Sequence, residues 1–184
     1  MFRWVRWLVL SAVAATALAA QPSDATHGEW RAKLGRSLPL LGHRNWIVVV
    51  DSAYPLQTSP GIETVETNAD QLAVVEEVLR QVDGAVHVRP IVYMDAELPF
   101  IPEAEAPGVT AYQSQVKKML GRWDVHWLPH EQLIARVDET SRSFHVLVLK
   151  TKLAIPYTSV FFQLDCKYWS ADSEKRLRER MAAR

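Results

Sequence analysis

Residues 41–55 read LGHRNWIVVVDSAYP. Within them Trp46 to Val50 is an unbroken apolar run of strand length, rich in valine. A strand that alternates apolar with polar residues has one wet face; a run with no polar residue needs cover on both faces, as in α/β sheets. A glycine and a histidine, Gly42-His43, stand ahead of the run, and Asp51 closes it. A buried strand accounts for the five apolar residues. It does not account for the titratable groups at the two ends.

Outward from this run, the chain alternates strand and helix signals. Residues 29–38 suit a short helix with Trp30 and Leu34 on one face. Residues 52–67 hold Pro55, Pro60 and Gly61 and read as a loop. Asn68 is placed to cap a helix, with Gln71 three residues on, and Leu72, Val75, Leu79 and Val82 recur at helical spacing until Asp83-Gly84 stops it. Val86 to Met94 reads as a strand, and Pro90 inside it points to an edge or a bulge. Residues 95–108, rich in proline and acid, read as a surface loop able to serve as a lid. A helix around Tyr112, Val116, Met119 and Leu120 follows, then a short strand at 123–128. His130 to Val137 is a further helix with Leu133, Ile134 and Val137 on one side; Phe144 to Leu149 and Val160 to Leu164 are strands. The alternation argues a layered α/β domain.

The 184 residues suit one such domain with a real core. Formal net charge is zero, so there is no global electrostatic case for nucleic acid as a partner. Residues 1–20 stand apart: Arg3 and Arg6 precede an uncharged apolar stretch ending Ala17-Leu18-Ala19. That layout reads as a secretory signal peptide, too short in its apolar part to span a bilayer, with an uncleaved anchor as the alternative. The expected organisation is signal peptide 1–20, linker 21–28, domain 29–166 and a charged, helical tail 167–184. Export to the periplasm or medium follows, with no stable membrane insertion once the signal is removed. Cys166 is the only cysteine and sits among aromatic residues, so no internal disulfide forms and a buried, inert thiol is the plainer reading.

Titratable groups collect at three strand or helix edges: His43 and Asp51 around the first strand, His130 at the start of a helix after Pro129, and Tyr157-Thr158-Ser159 before the last strand. Ligands of α/β folds sit at strand termini and adjoining loops. Each group also has a plain structural reading. His43 can be a hydrogen-bonded structural residue, Asp51 a cap of the following loop, His130 a helix-start residue and Tyr157 a core aromatic. His126 and His130 have metal-like spacing, but Pro129 between them breaks a helix. No CxxC, HExxH or glycine-rich phosphate loop is present.

Taken together and in order, the three places resemble the RbsD/FucU family of D-ribose pyranases and L-fucose mutarotases. LGHRNWIVVVDSAYP resembles its LGH…D-A-x-x-P segment, PHEQL its helix-opening histidine segment, and KTKLAIPYTSVFFQL its closing strand, from about residue 30 to 165. GIETVETNADQLAVVEEVLRQV followed by VRPIVYM is closer to the fucose branch, and His130 to the ribose branch. The resemblance implies a three-layer α/β/α domain with a central mixed sheet and ring-shaped homo-oligomers with sites near subunit contacts. It implies no metal and no organic cofactor, a monosaccharide as ligand, and interconversion of its anomers or ring forms. Carried over, it gives His43 as principal acid/base with Asp51 close to it, His130 as a further catalytic group, and Tyr157, Ser159 and Lys152 on the sugar. Ser159 stands where the family has a sugar-binding Asn, and Lys152-Leu153 where a Gly-Glu pair is usual. Two other readings stay open: a sugar-binding or sensing module without turnover on the same fold, and an envelope structural or interaction protein.

Overall fold

The computed structural model describes residues 23–183, so the signal-peptide reading of 1–20 lies outside the described residues. Trp46–Val50 forms β1, buried along its whole length. It sits inside a six-stranded sheet of order β2-β5-β1-β6-β3-β4. The other strands are β2 Ile62–Glu66, β3 Val88–Asp95, β4 Val125–Leu128, β5 Val146–Lys150 and β6 Val160–Cys166. β1 runs parallel to β5, and β5 to β2; β3 runs parallel to β4; β6 lies antiparallel between β1 and β3. The sheet is therefore mixed, with one reversed strand at its centre.

Helices cover both faces, which is what an all-apolar β1 requires. On one face α1 Ser23–Ser37, α2 Gln71–Gly84 and α3 Val109–Met119 meet Ile47, Val49, Leu147, Phe162 and Leu164. On the other, α4 His130–Ser141 lays Leu133 and Val137 against Val48, Val50, Val148 and Phe161. The three-layer α/β/α domain implied by the sequence resemblance is the architecture found. α1 begins within the stretch read as linker, and α5 Ala171–Ala182, capped by Ser170 accepting from Ser173 N (3.0 Å), has no buried residue.

Three local expectations are corrected. Residues 52–67 contain β2, an edge strand whose sequence IETVE carries acids that an exposed edge accepts. Its entry is fixed by Gly61, where a Cβ would lie 2.1 Å from the Ser141 carbonyl oxygen. The cap of α2 is Asp70, which accepts from Leu72 N and Ala73 N (3.0 and 3.3 Å); Asn68 instead turns the chain with φ 47°. Pro90 is in neither an edge strand nor a bulge. β3 lies between β6 and β4, but β4 pairs only from Val92 onward, so the proline falls where β3 has a neighbour on one side alone.

Candidate functional site

All five parallel strands end at one edge of the sheet, and the reversed β6 begins there. Asp51 follows β1, Asp95 ends β3, His130 opens α4 just after β4, and Tyr157 precedes β6. A cavity of about 400 Å³ opens at this edge, lined by Asp51, Tyr54, His130, Ile155, Pro156 and Tyr157 among others. Convergence of loops at the carboxyl ends of parallel strands is the usual place for an α/β ligand site.

His130 is held at three points. Its backbone N–H donates to both carboxylate oxygens of Glu97 (3.0 and 3.1 Å), which caps the first turn of α4. Its ring Nδ1 lies 3.0 Å from Asp95 Oδ1. Its ring stands edge-on to Tyr157, centroids 5.4 Å apart and planes at 87°. An ionised carboxylate only accepts, so with Asp95 ionised it is Nδ1 that donates, and Nε2 is the ring nitrogen left to face the cavity. No described protein group bonds that Nε2, and the side chain keeps 27% exposure on the cavity side. Asp95 itself is 0% exposed. Burial pushes its carboxyl up to about 6, against the lowering effect of the His130 hydrogen bond. The pair is a buried acid orienting a partly exposed imidazole, the arrangement that fixes a tautomer.

Tyr157 takes a left-handed backbone, φ 56°, which a non-glycine residue holds only when its surroundings impose it. The imposition comes from the next residue. The Thr158 carbonyl accepts from Tyr112 Oη (2.7 Å) and from Gln71 Nε2, and Thr158 Oγ1 donates to the Ile155 carbonyl (2.8 Å). Gln71 Nε2 also reaches Tyr112 Oη at 3.0 Å. Thr151 Oγ1 shares its proton between Gln71 Oε1 and the Val50 carbonyl, each 2.9 Å away. This buried network, built from α2 and α3 on the far face, grips the residues next to Asp51 and next to Tyr157. It sets the distance between two walls of the cavity.

The remaining sequence-derived candidates fall in different places. Asp51 lines the cavity, and its Oδ1 accepts from Ala53 N (2.8 Å), so it also caps its loop. His43 is exposed in the turn ahead of β1. β1 advances about 3.3 Å per residue without reversing, which sets His43 and Asp51 at opposite edges of the sheet. Within one chain the two are therefore apart, and His43 is close to an Asp51 only if a neighbouring copy supplies it. Lys152 is exposed, and its backbone N–H donates to the Ala69 carbonyl (3.2 Å); it does not line the cavity. Ser159 is buried and does not line it either. Continuing the β3–β6 register one step past Met94 and Val160 sets Ser159 across from Asp95, and neither Ser159 Oγ nor Asp95 Oδ2 has a hydrogen-bond partner among the described residues. Asp95 was missed because it opens an acid-rich stretch and reads as loop. Its position at a strand's carboxyl end, like that of Asp51, was the available signal.

Among the described residues no cluster of three or more His, Cys, Asp or Glu side chains is arranged to hold a metal ion, and no helix is long and apolar enough to cross a membrane. The sequence profile of the RbsD / FucU transport protein family matches residues 28–165. Bacillus subtilis RbsD complexed with D-ribose is similar over 73% of this chain and 92% of its own, at 14% identity and a TM-score of 0.54. FucU from Bifidobacterium longum is similar over 73% and 94%, at 15% identity and a TM-score of 0.49. The fucose mutarotase from Streptococcus pneumoniae, in complex with L-fucose, is similar over 71% and 89%, at 14% identity and a TM-score of 0.47. No curated protein sequence matches the chain.

Proposed function

Because this chain belongs to the RbsD / FucU transport protein family, we propose that it interconverts the cyclic forms of a monosaccharide, with His130 as the acid/base. The observation that carries the reading is the Asp95–His130 pair, buried at one end and opening on the cavity at the other. His130 Nε2 takes the proton of the anomeric hydroxyl. The bond between the anomeric carbon and the ring oxygen breaks, its electron pair stays on the ring oxygen, and the imidazolium hands the proton to that oxygen. Reclosure on the other face of the open-chain carbonyl, or through another hydroxyl, reverses the steps with no net gain or loss of protons. Asp95 holds the ring and stabilises its charged form while the proton is in transit. Asp51 and Tyr157 bind sugar hydroxyls across the cavity. Acid/base help of this kind supplies about 10²–10⁴-fold, enough for a reaction that also runs unaided.

Export is part of the proposal, and so is a ring-shaped homo-oligomer. In such a ring the exposed His43 reaches a cavity only if a neighbouring copy brings it there. The second reading is a sugar-binding module without turnover. It is favoured by the burial of Ser159 and the outward position of Lys152, which leave the cavity without those two groups as sugar ligands. Saturation-transfer NMR of anomer exchange separates the two, run on a panel including ribose and fucose. Exchange above the buffer rate for at least one sugar is the expected result. Binding without exchange for every sugar supports the module, and neither binding nor exchange removes both readings.

A further inference from the structure

The ridge formed by Pro156 and Tyr157 has a cavity on each side. Beyond the one that holds His130 lies a second, of about 380 Å³, walled by Phe100, Ile101, Pro102 and Glu105 and by the same Pro156 and Tyr157. Phe100 is 84% exposed, although the short 3-10 helix that carries it, Leu98–Phe100, is firmly held. Leu98 is buried, and its carbonyl accepts from Gln113 Nε2 (2.7 Å). Downstream, the Glu103 carboxylate accepts from Gly108 N and Thr110 N (2.6 and 2.9 Å), closing the loop on the start of α3. The aromatic ring is thus presented to solvent from a loop anchored at both ends. Glu105 adds a carboxylate beside this apolar wall, with no hydrogen bond or ion pair to it among the described residues. An aromatic face, an apolar floor and one free carboxylate suit a ring that has C–H groups on its faces and hydroxyls at its rim.

We infer that this second lobe binds a glycosyl unit, so that the substrate class extends to reducing disaccharides. The reducing-end ring sits at His130, and the second ring crosses the Tyr157 ridge to pack on Phe100 with a hydroxyl on Glu105. The inference rests on the acid/base reading of His130 but makes a separate demand, a preference for a substrate longer than one ring. Each cavity alone is near the lower end of the range for small-ligand sites, about 300–1,000 Å³, so a monosaccharide occupies only one of the two.

The test is anomer exchange by saturation-transfer NMR, with lactose, cellobiose and maltose compared with glucose and galactose. It is run on the whole chain, wild type, Phe100→Ala and Phe100→Trp. The ratio of disaccharide to monosaccharide KM is expected to rise about tenfold in Phe100→Ala, equivalent to about 1.4 kcal/mol of the second ring's binding, and to return toward wild type in Phe100→Trp. Because Phe100 is exposed, the alanine variant folds. Exchange with an unaltered ratio overturns the second subsite and leaves the His130 reading standing. No exchange with any sugar overturns the His130 reading itself, and the inference with it. Light scattering is run on the same samples: an oligomer in wild type that dissociates in Phe100→Ala assigns the lobe to a second copy of the chain and overturns the proposal.

Discussion

Replacing Asp95 by Asn separates the stability of the site from its chemistry. Asp95 is fully buried, and burial raises its carboxyl from 3.8 to about 6. At 1.36 kcal/mol per pH unit, holding that group ionised in the folded state costs about 3 kcal/mol. The folded protein binds the proton more tightly than the unfolded chain, so wild-type stability falls as pH rises from about 4 to about 6 and is level above that. Asparagine is neutral throughout. Its Oδ1 still accepts from His130 Nδ1, and its amide nitrogen takes the place of Oδ2, which already lacks a partner. Exchanging a charged acceptor for a neutral one loses about 1–1.5 kcal/mol. The expected balance is Asp95→Asn more stable than wild type by about 1–2 kcal/mol at pH 7, with the order reversed by pH 4, where wild type has regained about 2 kcal/mol on protonation of the acid. Urea unfolding at pH 4, 5, 6 and 7 measures it. Anomer exchange moves the other way and falls at least about tenfold, because a neutral amide no longer stabilises the imidazolium. A variant less stable than wild type by the same amount at every pH would mean that the buried carboxylate is not the cost ascribed to it, and the prediction would fail.

Other substitutions probe the frame around the pair. Gln71→Leu removes the hydrogen bonds to Tyr112, Thr158 and Thr151 and is expected to cost about 2–4 kcal/mol in chemical denaturation, with a raised KM as the Asp51 and Tyr157 walls loosen. Gly61→Ala sets a Cβ against the Ser141 and Phe144 carbonyl oxygens; with backbone on both sides, the loss is expected to exceed about 4 kcal/mol, seen as failure to accumulate folded protein. Ser159→Ala removes a buried hydroxyl that bonds to nothing, so stability should hold or rise by up to about 1 kcal/mol and sugar affinity by calorimetry should stay within about twofold. A tenfold loss of affinity there would place Ser159 on the sugar instead.

The strand β1 was legible because five consecutive apolar residues demand cover on both faces, which a central strand of a layered sheet receives. α2 and α4 were legible from their periodic apolar faces. β2 was not. Its IETVE is short and follows Pro55, Pro60 and Gly61, whose loop signal covers the whole of 52–67. The same contrast runs through the site. Asp51, His130 and Tyr157 stand out in sequence as polar groups beside apolar runs, and the fold brings all three to one cavity. Asp95 does not stand out, since nothing local distinguishes it from the acids that follow. His43 stands out too, but not as Asp51's neighbour in the same chain. It brackets β1 with Asp51, and in sequence that looks like a pair; an extended strand between two residues is what keeps them apart. Ser159 reads as a sugar ligand by its position before β6, but it is buried off the cavity, and the register continued one step sets it across from Asp95.

Proton transfer through His130 is probed by saturation-transfer exchange rates for wild type, His130→Asn and His43→Ala under one set of conditions. A fall to the buffer rate in His130→Asn, with its sugar affinity retained, is expected, whatever share of the rate His43→Ala removes. Exchange at the wild-type rate in His130→Asn would rule out His130 as the acid/base.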